Sequence, residues 1–389
     1  MKRVNVEFAD RVKRLPPYLF AEIESIIKEK KAQGVDLISL SIGDPDLPPP
    51  PFVIDSLRKE VANLKNHNYS FSQGEPDFRQ AVAEWCKKRF RVDLASDEVI
   101  ALMGSKEGLA NIARAFVNAG DRVLVPDPSY PVYNNGGTIL NDGIPVTMPL
   151  LQENGFKPDF DAIHPEKVKM LFLNYPNNPT SATVDKPFLK EAVEFARENN
   201  IILCYDNAYS EVTFDGYKAP SILEIDGAMD VAIEFHSLSK TFNMTGDRIA
   251  FAVGNKQLIS GLTKIKSQID SGPPVYTQKV AVKALASYKS NQAPGFLKRN
   301  NKILQERRDL LVETLCKIDY KCEKPKATFY VWVNCKGDSM KFATKLLDVG
   351  VAVTPGIGFG KYGEGYARIT FTQPKERIKE ACSRIASVF

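Results

Sequence analysis

Short apolar runs alternate with amphipathic stretches through the middle of this chain. Val99–Met103, Arg122–Val125, Val168–Asn174, Ile201–Tyr205, Val231–Phe235 and Ile249–Val253 are apolar runs of strand length. Between them, Lys106–Val117 and Lys186–Glu198 repeat apolar positions at helical spacing. This alternation predicts an α/β fold with a mostly parallel sheet covered by helices. Pro48 to Pro51 reads as a turn before a helix starting near Phe52. Farther on, Phe296–Ile318 predicts a long helix rich in Lys, Arg and Glu. Strands are expected at Thr328–Val333, Val351–Val353 and Ala367–Phe371, with helices at Lys341–Leu347 and Lys375–Val388. The expected organisation is a large domain over residues 45–285. A smaller α+β domain would combine residues 286–389 with the N-terminal segment 1–44.

Composition narrows the classes. The 389 residues suit about two domains, and 43% hydrophobic with 25% charged residues exclude disorder along the chain. No stretch approaches the ~20 apolar residues needed to cross a bilayer. The opening MKRVNVEFADRVKRLPP has no apolar core, so a cytoplasmic protein without a secretory signal is expected. Fifty-two Lys and Arg against 47 Asp and Glu leave +5, spread without a basic run. That fits a small anionic ligand, with neither nucleic acid nor membrane expected as a partner. Six cysteines form no CxxC pair, and only three histidines are present, so no metal site is expected. The cysteines read as reduced, buried thiols.

Five segments carry candidate chemistry. HSLSKTFNMTGDRIAF, residues 236–251, follows an apolar run and holds Ser237, Ser239, Lys240 and Arg248. The serines and the arginine suit a phosphate, and lysine is the side chain that forms Schiff bases with carbonyl compounds. A polar strand-to-helix turn with a solvated lysine is the plain alternative. In CYDNAYSE, residues 204–211, Asp206 falls at a strand's C-terminal end, where open α/β sheets bind ligands, with Tyr209 close behind. Asp206 could equally cap a helix. NYPNNPTSATV, residues 174–184, offers the Asn178 amide, although Asn-Pro is also an ordinary turn former. GSKEG, residues 104–108, places Ser105 and Lys106 at a helix start, a phosphate site or simply a helix start. PDPSYPVY, residues 126–133, sets Tyr130 in a loop where it can stack on a planar ligand or be half-buried. GFGKYG, residues 358–363, matches GxGxxG but leads into a strand, so a dinucleotide site is rejected.

In order and type these segments resemble the class I/II aminotransferases of the fold-type-I, pyridoxal-phosphate-dependent group, over roughly Pro16 to Thr372. The resemblance implies the type I transferase fold, a large domain with a mostly parallel sheet plus a small α+β domain, and pyridoxal 5'-phosphate as cofactor. It implies ping-pong exchange between an amino acid and a keto acid such as 2-oxoglutarate. Lys240 would form the Schiff base and shuttle the proton. Asp206 would hold the pyridine nitrogen, with Tyr209 and Asn178 on the ring oxygen. Ser105, Lys106, Ser237, Ser239 and Arg248 resemble the phosphate cup, and Tyr130 the stacked aromatic. Tyr69 resembles a tyrosine supplied by the other subunit of a homodimer with shared sites. Gly43 and Arg368 resemble the contacts to the substrate's α-carboxylate.

Within the family, LPPYLFAEI (15–23), SIGDPDLP (41–48), ENGFKPD (153–159), SKTFNMTG (239–246) and GEGYARI (363–369) resemble the LL-diaminopimelate aminotransferases and nearby aspartate aminotransferases. Tyr18 would then face the substrate. There are departures: Ser181 and Ala250 replace usual glycines, and Asp247 replaces a large residue. YSFSQGEPDF (69–78) and SQIDSGPPVY (267–276) also differ from the diaminopimelate pattern. Glu75, Gln268 and Asp270 therefore join Tyr18 as residues dividing the substrates. Expected is transamination of LL-diaminopimelate. The alternatives are aspartate, another amino acid or biosynthetic amine, or a β-lyase reaction. A non-catalytic binding module is opposed by the intact Lys240, Asp206, Arg248 and Arg368.

Overall fold

Strands that are apolar on both faces need cover on each side, and the computed structural model supplies it. It describes residues 6–17, 19–320 and 322–389. In chain order the strands are β1 (Ile38–Ser39), β2 (Val99–Leu102), β3 (Arg122–Asp127), β4 (Ile144–Pro149), β5 (Val168–Asn174) and β6 (Ile202–Asp206). They continue with β7 (Ala232–Ser237), β8 (Ala250–Gly254), β9 (Tyr330–Asn334), β10 (Val351–Ala352), β11 (Thr354–Pro355) and β12 (Tyr366–Thr370). Seven of them form one sheet in the order β2-β8-β7-β6-β5-β3-β4, parallel except for β8, which runs against both β2 and β7. Side-chain alternation divides its core between two faces. Leu171, Leu173, Leu203 and Phe251 join Trp85 on one face, while Phe172, Cys204, Phe235 and Ala252 join Leu109 and Ile112 on the other.

A separate antiparallel sheet, β11-β12-β9, and the parallel pair β1-β10 form a second core with the helices Gly295–Lys317 and Lys375–Ala386. The pairing of Ile38 with Val351 brings the N-terminal segment to this second unit.

Several sequence expectations need correction. Ile144–Pro149 contains two prolines and no clear apolar pattern, yet forms β4. It lies at the sheet's edge, where a missing backbone donor is tolerated. The expected strand Val351–Val353 is divided, with β10 pairing with β1 and β11 with β12. The strand expected from Thr328 starts at Tyr330, because Thr328 has φ +69° and turns the chain. Cys316 is exposed near the end of its helix and Cys322 is half-buried, whereas the other four thiols are buried.

All the parallel strands end at one edge of the large sheet, as does β2, so Gly104, Asn174, Asp206 and Ser237 meet there. Because β8 is reversed, Arg248, two positions before its start, reaches the same edge. The second sheet faces this edge. One tie between them is Ser181, which sits at φ +61° where the resemblance expects glycine. Its hydroxyl donates to the Tyr330 carbonyl at 2.8 Å, so the Thr328 hydroxyl, also 2.8 Å away, donates to it. These bonds offset the left-handed backbone. Ser181→Ala keeps the strain and loses both bonds, and should cost about 1–3 kcal/mol in urea unfolding. Ser181→Gly should cost roughly 1 kcal/mol less, because glycine adopts that φ freely.

Candidate active site

Twelve of the fourteen residues given a cofactor or substrate contact from sequence line one cleft of about 280 Å³ at this edge, and Glu75, Gln268 and Asp270 do not line it. The twelve are Gly43, Ser105, Lys106, Tyr130, Asn178, Asp206, Tyr209, Ser237, Ser239, Lys240, Arg248 and Arg368. Tyr69 does not line it. The residue is 93% exposed, on a segment tied to 268–272 by the Ser70 hydroxyl donating to the Ser271 carbonyl. Tyr18 lies outside the described residues.

One end of the cleft suits an anion. Gly104, at φ +90°, turns β2 into the helix Ser105–Phe116, whose first N–H groups have no partner within the helix. A Cβ on Gly104 would overlap the Arg248 guanidinium, so the glycine lets the arginine approach. Arg248 is oriented by donating to the carbonyls of Thr245 at 2.9 Å and Met103 at 3.3 Å. Ser237 and Ser239, both buried, border the same end, and the Lys106 ammonium lies 5.6 Å from the Tyr130 ring centroid.

At the centre lies Lys240. Its Nζ donates to the Gly43 carbonyl at 3.2 Å. Burial brings its pKa down to about 8; Asp44 opposes the shift, and the guanidinium groups of Arg368 and Arg248 reinforce it. Asp206 is pushed up to about 6 by burial, against the Tyr133 hydroxyl donating at 2.7 Å and the Ala208 N–H at 3.2 Å. Both groups can therefore change protonation near neutral pH, as acid–base chemistry requires.

The other end holds a buried arginine, a group suited to a carboxylate. Arg368 on β12 is buried between the rings of Tyr330, 4.3 Å from its guanidinium carbon, and Phe359, at 4.7 Å. It donates to Asn178 Oδ1 and to the Ser41 carbonyl, both at 2.7 Å. The Tyr209 and Tyr330 hydroxyls pair at 2.9 Å, and burial raises both pKa values, which keeps them protonated donors. A Cβ on Gly43 would run into the Tyr330 hydroxyl, so only glycine fits there.

Tyr133 and Tyr330 were not singled out from sequence. Tyr133 stands three residues beyond Tyr130 in PDPSYPVY, and nothing local says which of the two meets Asp206. Tyr330 reads as an apolar strand residue. Sequence also missed the buried Glu234 on β7, which accepts from Asn207 Nδ2 at 2.8 Å and Ile222 N at 3.0 Å. It thereby anchors the chain just beyond Asp206. His236 Nε2 stands 2.8 Å from the same carboxylate.

The donor set fits pyridoxal phosphate. A helix start with an arginine, a lysine of lowered pKa, and a buried carboxyl able to meet a ring nitrogen share one cleft with a second, buried arginine.

Comparison with known proteins agrees. A family model described as aminotransferase class I and II matches residues 35–385. The LL-diaminopimelate aminotransferase of Desulforudis audaxviator is 49% identical over 384 residues, 97% of this chain and 96% of that protein. The one from Aquifex aeolicus is 48% identical over 389 residues, 98% and 99% of the two chains. Among solved structures, aspartate aminotransferase from Thermus thermophilus with maleate superposes with a TM-score of 0.92 at 30% identity, covering 99% of this chain and 100% of that one.

The lowered pKa gives a direct test. In the cofactor-free protein the neutral fraction of Lys240 should rise through pH about 8. Exposed lysines do so only near ~10.4. Reductive methylation with formaldehyde, read by peptide mass spectrometry, should therefore label Lys240 half-maximally near pH 8. The unfolded chain binds the proton more tightly. The protonated amine thus costs stability below about 8, and that cost is relieved as pH rises toward the ordinary 10.5.

Proposed function

This chain belongs to the class I and II aminotransferases, and from that premise we propose that it moves an amino group from LL-diaminopimelate to 2-oxoglutarate. Family membership makes it a pyridoxal-phosphate-dependent transaminase acting on small amino and keto acids. The observation that carries the substrate is relationship: near-full-length relatives at about half identity are named for LL-diaminopimelate. The solved aspartate aminotransferase neighbours share only 29% to 30%.

When bound, the cofactor supplies a carbonyl that carries the amino group and a ring that accepts electron density. The chain's residues would divide the remaining work. The helix start at Ser105, with Lys106, Ser237, Ser239 and Arg248, would hold the phosphate. Tyr130 would lie on the ring, and Tyr209 and Asn178 would donate to its oxygen. Asp206 would keep a proton on the ring nitrogen. Arg368, with the Gly43 backbone, would orient the substrate carboxylate so that its α-hydrogen faces the Lys240 amine. Lys240, its pKa lowered to about 8 chiefly by burial, would take that proton and return it elsewhere.

The same reading takes the enzyme as a cytoplasmic homodimer. Tyr69, Phe71 and Ile269 are large side chains exposed on neighbouring segments, which supports a second copy covering them and Tyr69 entering the partner's site. It also takes residues 45–285 as the cofactor-binding domain and 1–44 with 286–389 as the small domain. The placement of the seven-stranded sheet between residues 99 and 254 supports this division.

The test adds single amino acids to the cofactor-loaded protein without a keto acid and follows the cofactor's absorbance band. LL-diaminopimelate and glutamate should each convert it in a half-reaction. Lys240→Ala should slow conversion by at least ~10⁴-fold, since both covalent and proton-transfer roles go. Conversion by aspartate or an aromatic amino acid instead would reassign the substrate. A band that no amine changes would overturn amino-group transfer from these donors.

A further inference from the structure

Of the glycine-rich segment that begins at Gly356, only Phe359 touches the site described above. It forms two tight turns, Gly356–Phe359 and Lys361–Gly363. Gly356 and Gly363 approach so closely that a Cβ on either would overlap the other's carbonyl. This turn belongs to the unit carrying β12, yet it closes around a carboxylate from the large sheet. Asp127, the last residue of β3, accepts from Lys361 N through Oδ2 and from Tyr362 N through Oδ1, both at 3.0 Å. Gly360, at φ +132°, lies so near that a Cβ would overlap that carboxylate. The Ser129 N–H donates to the Phe359 carbonyl at 2.8 Å, pinning the turn a second time.

The turn delivers Phe359. Its ring packs on Trp332 in a buried cluster with Leu150 and Phe156, and with Tyr330 it is one of two rings against the Arg368 guanidinium. Arg368 thus touches one ring on its own sheet and one on the turn held from β3. We infer that Asp127 is a positioning residue for substrate-carboxylate binding. Its carboxylate grips the 356–363 turn so that Phe359 holds Arg368 flat for a bidentate carboxylate partner. This rests on the reading that Arg368 receives the substrate carboxylate. The paired N–H donors explain why an acid stands at the end of β3, and the contact explains why Gly360 cannot carry a side chain.

The experiment uses the cofactor-loaded enzyme and succinate, a dicarboxylate with neither amino nor keto group, as a competitive ligand. Asp127→Ala should weaken succinate binding roughly tenfold and raise KM for both substrates similarly, with kcat within about twofold. The cofactor's dissociation constant should not change. Asp127→Asn, which keeps one acceptor and the same shape, should fall between and covers the case in which the alanine variant does not fold. Gly360→Ala should reproduce the loss from the other side of the contact. If Arg368→Lys weakens succinate while the Asp127 variants leave it unchanged, this inference is overturned and the role of Arg368 stands. If Arg368→Lys leaves succinate unchanged, the underlying reading fails and takes this one with it. Equal weakening of succinate and cofactor in the Asp127 variants would also overturn it, because it would mark general loosening of the fold.

Discussion

An ammonium group buried beside two guanidinium groups gives up its proton readily, and the catalytic arrangement depends on this. Lys240 is held near pKa 8 by burial, with Arg368 and Arg248 reinforcing the shift. The same cations that prepare the lysine are the groups suited to the anionic ends of cofactor and substrate. One charge distribution therefore lowers the lysine's proton affinity and makes both ends of the cleft suited to anions. Asp206 lines the same cleft, its carboxyl pushed up to about 6 by burial.

Placing these charges requires two sheets. The large sheet brings Gly104, Asp206, Ser237 and Arg248 together because its parallel strands end on one side and β8 begins there. Arg368 comes from β12 of the other sheet, so the distance between the cleft's two ends depends on how the sheets are joined. Ser181 joins them through Thr328 and Tyr330, and Asp127 through the backbone of the 356–363 turn. Each contact pairs a side chain of the large unit, from the loop after β5 or the end of β3, with backbone or hydroxyl partners on the facing unit. Glycine appears where close approach is needed, at Gly43, Gly104 and Gly360. The literal GxGxxG match is thus a turn shaped around a carboxylate.

The departures from the family pattern are partly explained by these contacts. Ser181 replaces glycine at a left-handed position because its hydroxyl finds two partners. Ala250 lies fully buried on β8 between Leu102 and Ser237, where a small side chain fits. Nothing in the structure accounts for Asp247 in place of a larger residue. Segments 69–78 and 267–276 meet through Ser70 and Ser271, away from the cleft of their own chain.

Sequence by itself determined the central strands and the chemistry of the site. Val168–Asn174 reads as a strand because burial on both faces demands an unbroken apolar run, and the structure has those same bounds. Lysine, aspartate and arginine at strand ends are legible because each sits in a local motif of charged and small residues. Tertiary structure alone decided which hydroxyl reaches which charge. Tyr133 rather than Tyr130 meets Asp206, and Tyr330, from a strand 124 positions beyond Asp206, backs Arg368 and pairs with Tyr209. It also decided β4, whose prolines hide an edge strand, and the grip of Asp127 on a turn more than two hundred residues away. The physical reason is common to all of these. Periodicity reports whether a side chain is buried, but a hydrogen-bond partner is chosen by distance in space, which only the packed sheets define.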